Sequence, residues 1–181
     1  MNPLNIIDKY YLPGSELHSL LVVHSQNVAH LACRLAQRLV DGGETVDLDF
    51  VHEAAMLHDI GIFLTDAPGI HCHGTRPYIC HGILGRELLD SLQLPRHALV
   101  CERHTGAGIS RDDIIAQHLP LPLRDMLPIS VEEKLICYAD KFFSKTRPDE
   151  QKSLEHARRS LARFGDATLA RFDALNSRFG L

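Results

Sequence analysis

Glu53-Ala54-Ala55-Met56-Leu57-His58-Asp59-Ile60-Gly61 is the stretch whose reading decides the fold. It sets an imidazole and a carboxylate side by side within an apolar helical run. Four more candidate ligands fall at element-like intervals around it: His24 before the pair, then His81, His104 and Asp140 after it. Each lies in its own expected helix or at a helix end. The pattern is that of helices pinned by a shared polar centre.

Outward from this stretch the chain reads as helix after helix. Residues 3–11 form a short opening helix, stopped by Pro13-Gly14. Ser15 caps a long helix to about Val40. Its Leu17, Leu21, His24, Val28, Leu31 and Leu35 recur at steps of three or four, which puts His24 on the buried face among aliphatics. Asp41-Gly42-Gly43 ends it. Asp49 is the expected N-cap of the helix carrying His58, and Gly61 its expected stop. Residues 65–77, with their prolines and glycines, read as an irregular loop. Helices follow from Pro77 or Tyr78 to about Leu92, and from Pro95 to His104, with Gly106 and Gly108 as breakers.

The proline-rich residues 119–129 should cross the surface extended. Ser130 and Glu133 form a capping-box signature for a helix from Val131 to about Lys145, with Asp140 inside it. Two amphipathic helices, about 149–164 and 166–179, hinge at Gly165. No strand pattern, repeat or linker is visible. The expectation is an all-α, single-domain helical bundle over residues 1–181, with a metal-binding core of about 17–147 and a helical extension of about 149–181.

Bulk composition sets the limits. A chain of 181 residues buries a substantial core without staples. Net charge is −4 with acids and bases mixed, which argues against a nucleic-acid surface. Five cysteines without a CxxC pair fit reduced thiols of the cytoplasm better than a disulfide framework. No signal segment or membrane-length apolar run is visible, so the expected setting is soluble and cytoplasmic. Twelve histidines is a high count.

A carboxylate buried mid-helix, as expected for Asp140, is costly unless a cation or donor answers it. The same holds for His24 on its aliphatic stripe and for Asp59 behind Met56-Leu57. A shared divalent metal answers all three, since imidazole nitrogen and carboxylate oxygen suit Fe, Mn, Co, Ni or Zn. Adjacent helix residues point about 100° apart, so His58 and Asp59 can approach one site or bridge two. His71-Cys72-His73 with Cys80 lacks zinc-finger spacing and reads as a lid or loop.

His24-Ser25-Gln26-Asn27-Val28-Ala29, Leu57-His58-Asp59-Ile60-Gly61 and Tyr138-Ala139-Asp140-Lys141 together resemble the HD superfamily of metal-dependent phosphohydrolases. The resemblance spans His24 to Arg147, roughly two thirds of the chain. His81-Gly82-Ile83-Leu84-Gly85, His104-Thr105-Gly106 and Glu133-Lys134-Leu135-Ile136-Cys137-Tyr138-Ala139-Asp140 look most like the dinuclear bacterial symmetrical diadenosine-tetraphosphate hydrolases.

The resemblance implies two divalent ions. His24, His58 and Asp140 would hold one, His81 and His104 the other, and Asp59 would bridge. It implies hydrolysis of a small-molecule nucleotide or dinucleotide phosphate, with Asp59 as a catalytic group; Lys141 is the favoured catalytic cation because it adjoins Asp140. Arg76, Arg86, Lys145 and Arg147 are the candidate substrate-binding cations, and Arg103 a weaker one. The lysine that usually follows HD in those hydrolases is replaced here by Ile60-Gly61-Ile62-Phe63, and their E-P-x-R stretch by Phe143 to Pro148. The alternatives are a single-metal nucleotide phosphatase, a metal- or nucleotide-sensing module without turnover, and a mixed-valent iron oxygenase. No nucleic-acid or membrane partner is expected; the two C-terminal helices could pack a second copy as a homodimer.

Overall fold

The computed structural model describes residues 1–147 and 150–180. Among them the chain is helical with one small sheet, in agreement with the all-α class. Helix α1 is Pro3–Tyr10, α2 Glu16–Asp41, α3 Leu48–Leu57, α4 His81–Ser91 and α5 Pro95–Arg103. Helix α6 is Arg111–Ala116, α7 Val131–Asp140, α8 Leu154–Ala162 and α9 Asp166–Phe179. Helix α2 packs on α3 and α7, α4 lies along α5, and α9 packs on both α7 and α8.

The long α2 forms because its stripe is apolar at helical spacing and its start is capped. Ser15 Oγ accepts from the His18 amide, and Leu21, Val28, Leu31 and Leu35 are all buried. Each of those side chains contributes roughly 1.5–3 kcal/mol by leaving water. Helix α7 is capped by Ser130 Oγ, which accepts from the Glu133 amide. The Glu133 carboxylate accepts from the Ile129 amide rather than closing the reciprocal box.

Several boundaries differ from expectation, each for a physical reason. The N-cap of α3 is Asp47, not Asp49, because Asp47 Oδ1 accepts from the Phe50 amide. Helix α3 ends at Leu57, so His58 and Asp59 lie in the tight turns that follow, with Ile60 N bonded to Leu57 O and Ile62 N to Asp59 O. Helix α7 ends at Asp140 rather than about Lys145, which frees Lys145 to fold back. Helix α6, which the sequence reading missed, carries a capping box of Ser110 and Asp113, a signal in plain view. The helix expected from about 149 instead begins at Leu154, where Ser153 Oγ caps it by accepting from the His156 amide, residues 150–153 being non-helical; residue 149 itself lies outside the described residues.

The expected loop 65–77 holds three short strands. They are β1 Thr65–Ala67, β2 Cys72–His73 and β3 Arg76–Pro77, in the order β2-β1-β3. Asp66 pairs with His73 antiparallel and Thr65 with Arg76 parallel. Two- and three-residue strands are too short for an alternating pattern to be legible.

His97 illustrates how burial couples the fold to pH. Its ring lies edge-on to Phe50 at 4.9 Å, with the Glu53 carboxylate 3.3 Å from Nε2. Burial lowers its pKa below the ordinary value, opposed only partly by Glu53. The folded chain therefore binds this proton less readily than the unfolded one, so stability from His97 is complete above about pH 6.5 and falls as pH drops through that region. His97→Phe should flatten the fall in Tm between pH 7.5 and 5.5; an unchanged slope would remove His97 from the account.

Candidate metal centre

Asp59 is the hinge of the site. Its carboxylate is fully buried, and its two oxygens face different partners. Oδ2 lies 3.2 Å from His24 Nε2 and 3.1 Å from His58 Nε2. Oδ1 lies 3.4 Å from both His81 Nε2 and His104 Nε2. Asp140 Oδ1 completes the first set, 3.1 Å from His24 Nε2 and 3.5 Å from His58 Nε2. Two groups result, His24/His58/Asp59/Asp140 and Asp59/His81/His104, each with ligand atoms close enough to share an ion.

The ring nitrogens are oriented for that use. His58 Nδ1 donates to Ala55 O at 2.6 Å, His81 Nδ1 to Tyr78 O at 2.7 Å and His104 Nδ1 to Cys101 O at 2.8 Å. Each acceptor is three residues upstream, so the local helical geometry fixes the tautomer and leaves Nε2 facing inward. His81 Nε2 and His104 Nε2 then stand 3.1 Å apart. Burial, only partly opposed by Asp59, pushes the His81 pKa down to about 3, and burial lowers His104 as well. Two bare lone pairs at that distance repel unless a cation lies between them.

The first group is orphaned in the same way. Both nitrogens of His24, His58 Nε2 and Asp59 Oδ1 are buried without a hydrogen-bond partner. Burial opposes charge on His58, yet Asp59 and Asp140 hold its pKa up at about 9. Burial would raise both carboxylate pKa values. Lys145 and the imidazoles hold Asp59 well below the usual range, and Lys141 and the imidazoles do the same for Asp140. Close nitrogen and oxygen ligand atoms of this kind could hold a metal ion.

Glycines bring these segments within reach. A Cβ at Gly61 would stand 2.3 Å from His81 O, and one at Gly82 2.6 Å from Cys101 O. Helix α4 is thereby seated between the turn carrying Asp59 and the end of α5 carrying His104. The reading of Gly61 as a helix stop missed this role.

The candidate cations divide. Lys145 Nζ lies 2.5 Å from Asp59 Oδ2 and 5.9 Å from the centre of the Tyr78 ring, which stacks on His81 at 4.7 Å. Lys141 Nζ lies 2.6 Å from Asp140 Oδ2 and donates to His104 O. The others lie elsewhere. Arg86 pairs with Glu102, which also binds Arg124. Arg103 is held by both oxygens of Glu133. Arg76 is exposed on β3 beside Cys80 and Glu87, and Arg147 is exposed and paired with Glu150. Their guanidinium groups are thus directed at carboxylates away from the cluster or at solvent.

Lys152, unremarked in the sequence, joins Lys145 in lining a cleft of about 400 Å³ with Ile70, Tyr78 and Phe143. Only its distance from Asp140 in sequence hid it. His71, Cys72 and His73 do not converge: Cys72 is buried, while His71 turns its Nδ1 to Glu16 at 3.2 Å. No described helix is long and apolar enough to cross a membrane.

Residues 21–144 match the family described as HD domain. Over 128 residues the chain is 38% identical to an uncharacterized protein of Methanocaldococcus jannaschii, covering 70% of this chain and 68% of that one. Over 137 residues it is 33% identical to a tRNA (cytidine(56)-2'-O)-methyltransferase of Picrophilus torridus, covering 75% of this chain. A Thermoplasma volcanium protein of the same description is 32% identical over 138 residues, covering 76% of this chain. Each of these matches spans 35% of the methyltransferase's length. No solved structure matches the chain.

Proposed function

The chain belongs to the HD domain family, and from that premise we propose that it is a phosphohydrolase using two divalent transition-metal ions on a nucleotide or dinucleotide phosphate. The observation that carries the reading is the sharing of Asp59 between two buried ligand groups. His24, His58 and Asp140 would hold one ion, His81 and His104 the other, and Asp59 both. Such ions supply Lewis acidity and a water-derived nucleophile at neutral pH.

The chain's own residues do the rest. Carbonyl-anchored histidines keep their Nε2 atoms aimed inward. Lys145 and Lys141 place ammonium groups at the carboxylates, where charge on a bound phosphate needs an answer. Asp59 and Asp140 carry −2 against +3 from Lys141, Lys145 and Lys152, a sum of +1 with the imidazoles neutral as ligands, to which bound ions would add. That balance suits a multiply charged anion. Burial of the Asp59 side excludes bulk water, which strengthens each of these interactions.

A second reading rests on the relatives described as tRNA methyltransferases: the phosphate is carried by an RNA. Elemental analysis of protein purified without chelator should find about two transition-metal ions per chain, with turnover on nucleotide phosphates. About one ion favours the single-metal phosphatase, and two ions without turnover on nucleotide or RNA phosphates favours a sensing module. Lys145→Met should lower kcat/KM by about 10–100-fold, equivalent to roughly 1.4–2.7 kcal/mol of lost transition-state stabilisation, with metal content unchanged. Unaltered kcat/KM would take Lys145 out of the reaction.

A further inference from the structure

A second cavity, of about 190 Å³, is built from the segments that flank the second ligand pair. Ile79 precedes His81 by two residues and Thr105 follows His104 directly, and both line it. Thr105 Oγ1 is 3.4 Å from His81 Nε2, so one side chain separates the cavity from the ligand group. Ile109, Leu119 and Phe164 supply further apolar wall. Gln117 and Asp113 also line it; Asp113 is paired with Arg171, whose Nε is buried without a partner.

We infer that this cavity receives the heteroaromatic ring of the phosphate substrate. The inference rests on the hydrolase reading and adds where the organic part of the substrate binds. Size is the first argument. The cavity is smaller than the roughly 300–1,000 Å³ that encloses a whole drug-sized ligand, so it takes one ring system. Chemistry is the second. Apolar walls interrupted by the polar groups of Thr105, Gln117 and Asp113 match a ring that is apolar on its faces and polar at its edge. Position is the third, because the Thr105 contact places a ring beside the ligand group that would hold the phosphate. Phe164, 52% exposed at the cavity wall, leaves an aromatic face open for stacking. The lysine-lined cleft is left for the charged part of the substrate.

The test uses the chain reconstituted with diamagnetic zinc, labelled at isoleucine methyls and titrated with adenosine, which carries no phosphate to hydrolyse. Ile79 and Ile109 should shift saturably, while Ile70 in the lysine cleft and Ile136 in the core stay fixed. Ile79→Phe, which fills the cavity, should abolish the Ile109 shift. It should also lower kcat/KM for adenosine 5′-phosphate by about tenfold relative to that for methyl phosphate, which has no ring to seat. Phe164→Ala, a surface change that leaves the core intact, should weaken adenosine binding. Shifts at Ile70 instead, or no saturable shift up to ~10 mM, would overturn the assignment. Saturable shifts at Ile79 and Ile109 in a chain that hydrolyses no phosphate compound would uphold the ring site and sink the hydrolase reading alone.

Discussion

Asp59→Asn should empty both halves of the metal centre at once. The carboxylate turns one oxygen toward His24 and His58 and the other toward His81 and His104, so neither group is complete without it. Asparagine keeps the shape but removes the charge, and its amide nitrogen cannot act as a ligand at neutral pH. Metal content should fall from about two ions per chain to near none. Turnover should fall by about 10³-fold or more, because Lewis-acid stabilisation is worth several kcal/mol and each 1.36 kcal/mol is tenfold. The contrast with single-group variants makes the test specific. Asp140→Asn strips only the first group and His104→Ala only the second, so each should retain about one ion. A circular-dichroism melt separates metal loss from unfolding. An Asp59→Asn chain that still holds two ions would sink the shared-carboxylate site.

Gly61→Ala should be among the most destabilising single-methyl additions in the chain. The added Cβ would lie 2.3 Å from His81 O, 2.4 Å from Gly85 N and 2.9 Å from Gly85 Cα. All three are backbone atoms of α4, so no side chain can swing aside. Helix α4 must retreat by roughly 1 Å to reach an ordinary contact, against the close seat that Gly82 and Gly85 make on Cys101. Overpacking of this kind costs about 3 kcal/mol or more. For a chain of this size that is roughly 6–12 °C in Tm. The displacement carries His81 away from Asp59, so the second ion should be lost to chelator before the first. Backbone torsion is not the cause, since Gly61 has φ −86, which alanine adopts freely. A loss under about 1 kcal/mol in urea unfolding, the range of an ordinary point mutation, would show that α4 yields easily.

These two residues mark what could be read from the chain by itself. The helical class, the candidate ligands taken one by one and the caps at Ser15 and Ser130 are local patterns, whereas the grouping of six ligands around one centre came from the resemblance to the HD superfamily. Apolar spacing and a polar residue on an apolar stripe are visible without neighbours, because helix geometry alone places them. The relation of His58 to Asp59 was also legible as two directions from one turn, though that turn lies just past α3 rather than inside it.

Only the tertiary structure decided which cations reach the site. Lys145 does so because α7 stops at Asp140, whereas Arg86 and Arg103 are drawn off by Glu102 and Glu133 on packed neighbours. It also decided that Gly61 is a point of contact between two backbones, that residues 65–77 pair as strands, and that Ile79, Thr105 and Phe164 share one cavity. Local spacing records which face of a helix is apolar, but it holds no information on which distant segment will lie against that face. Those partners are set by shape and charge complementarity across the fold, which exist only once the chain has packed.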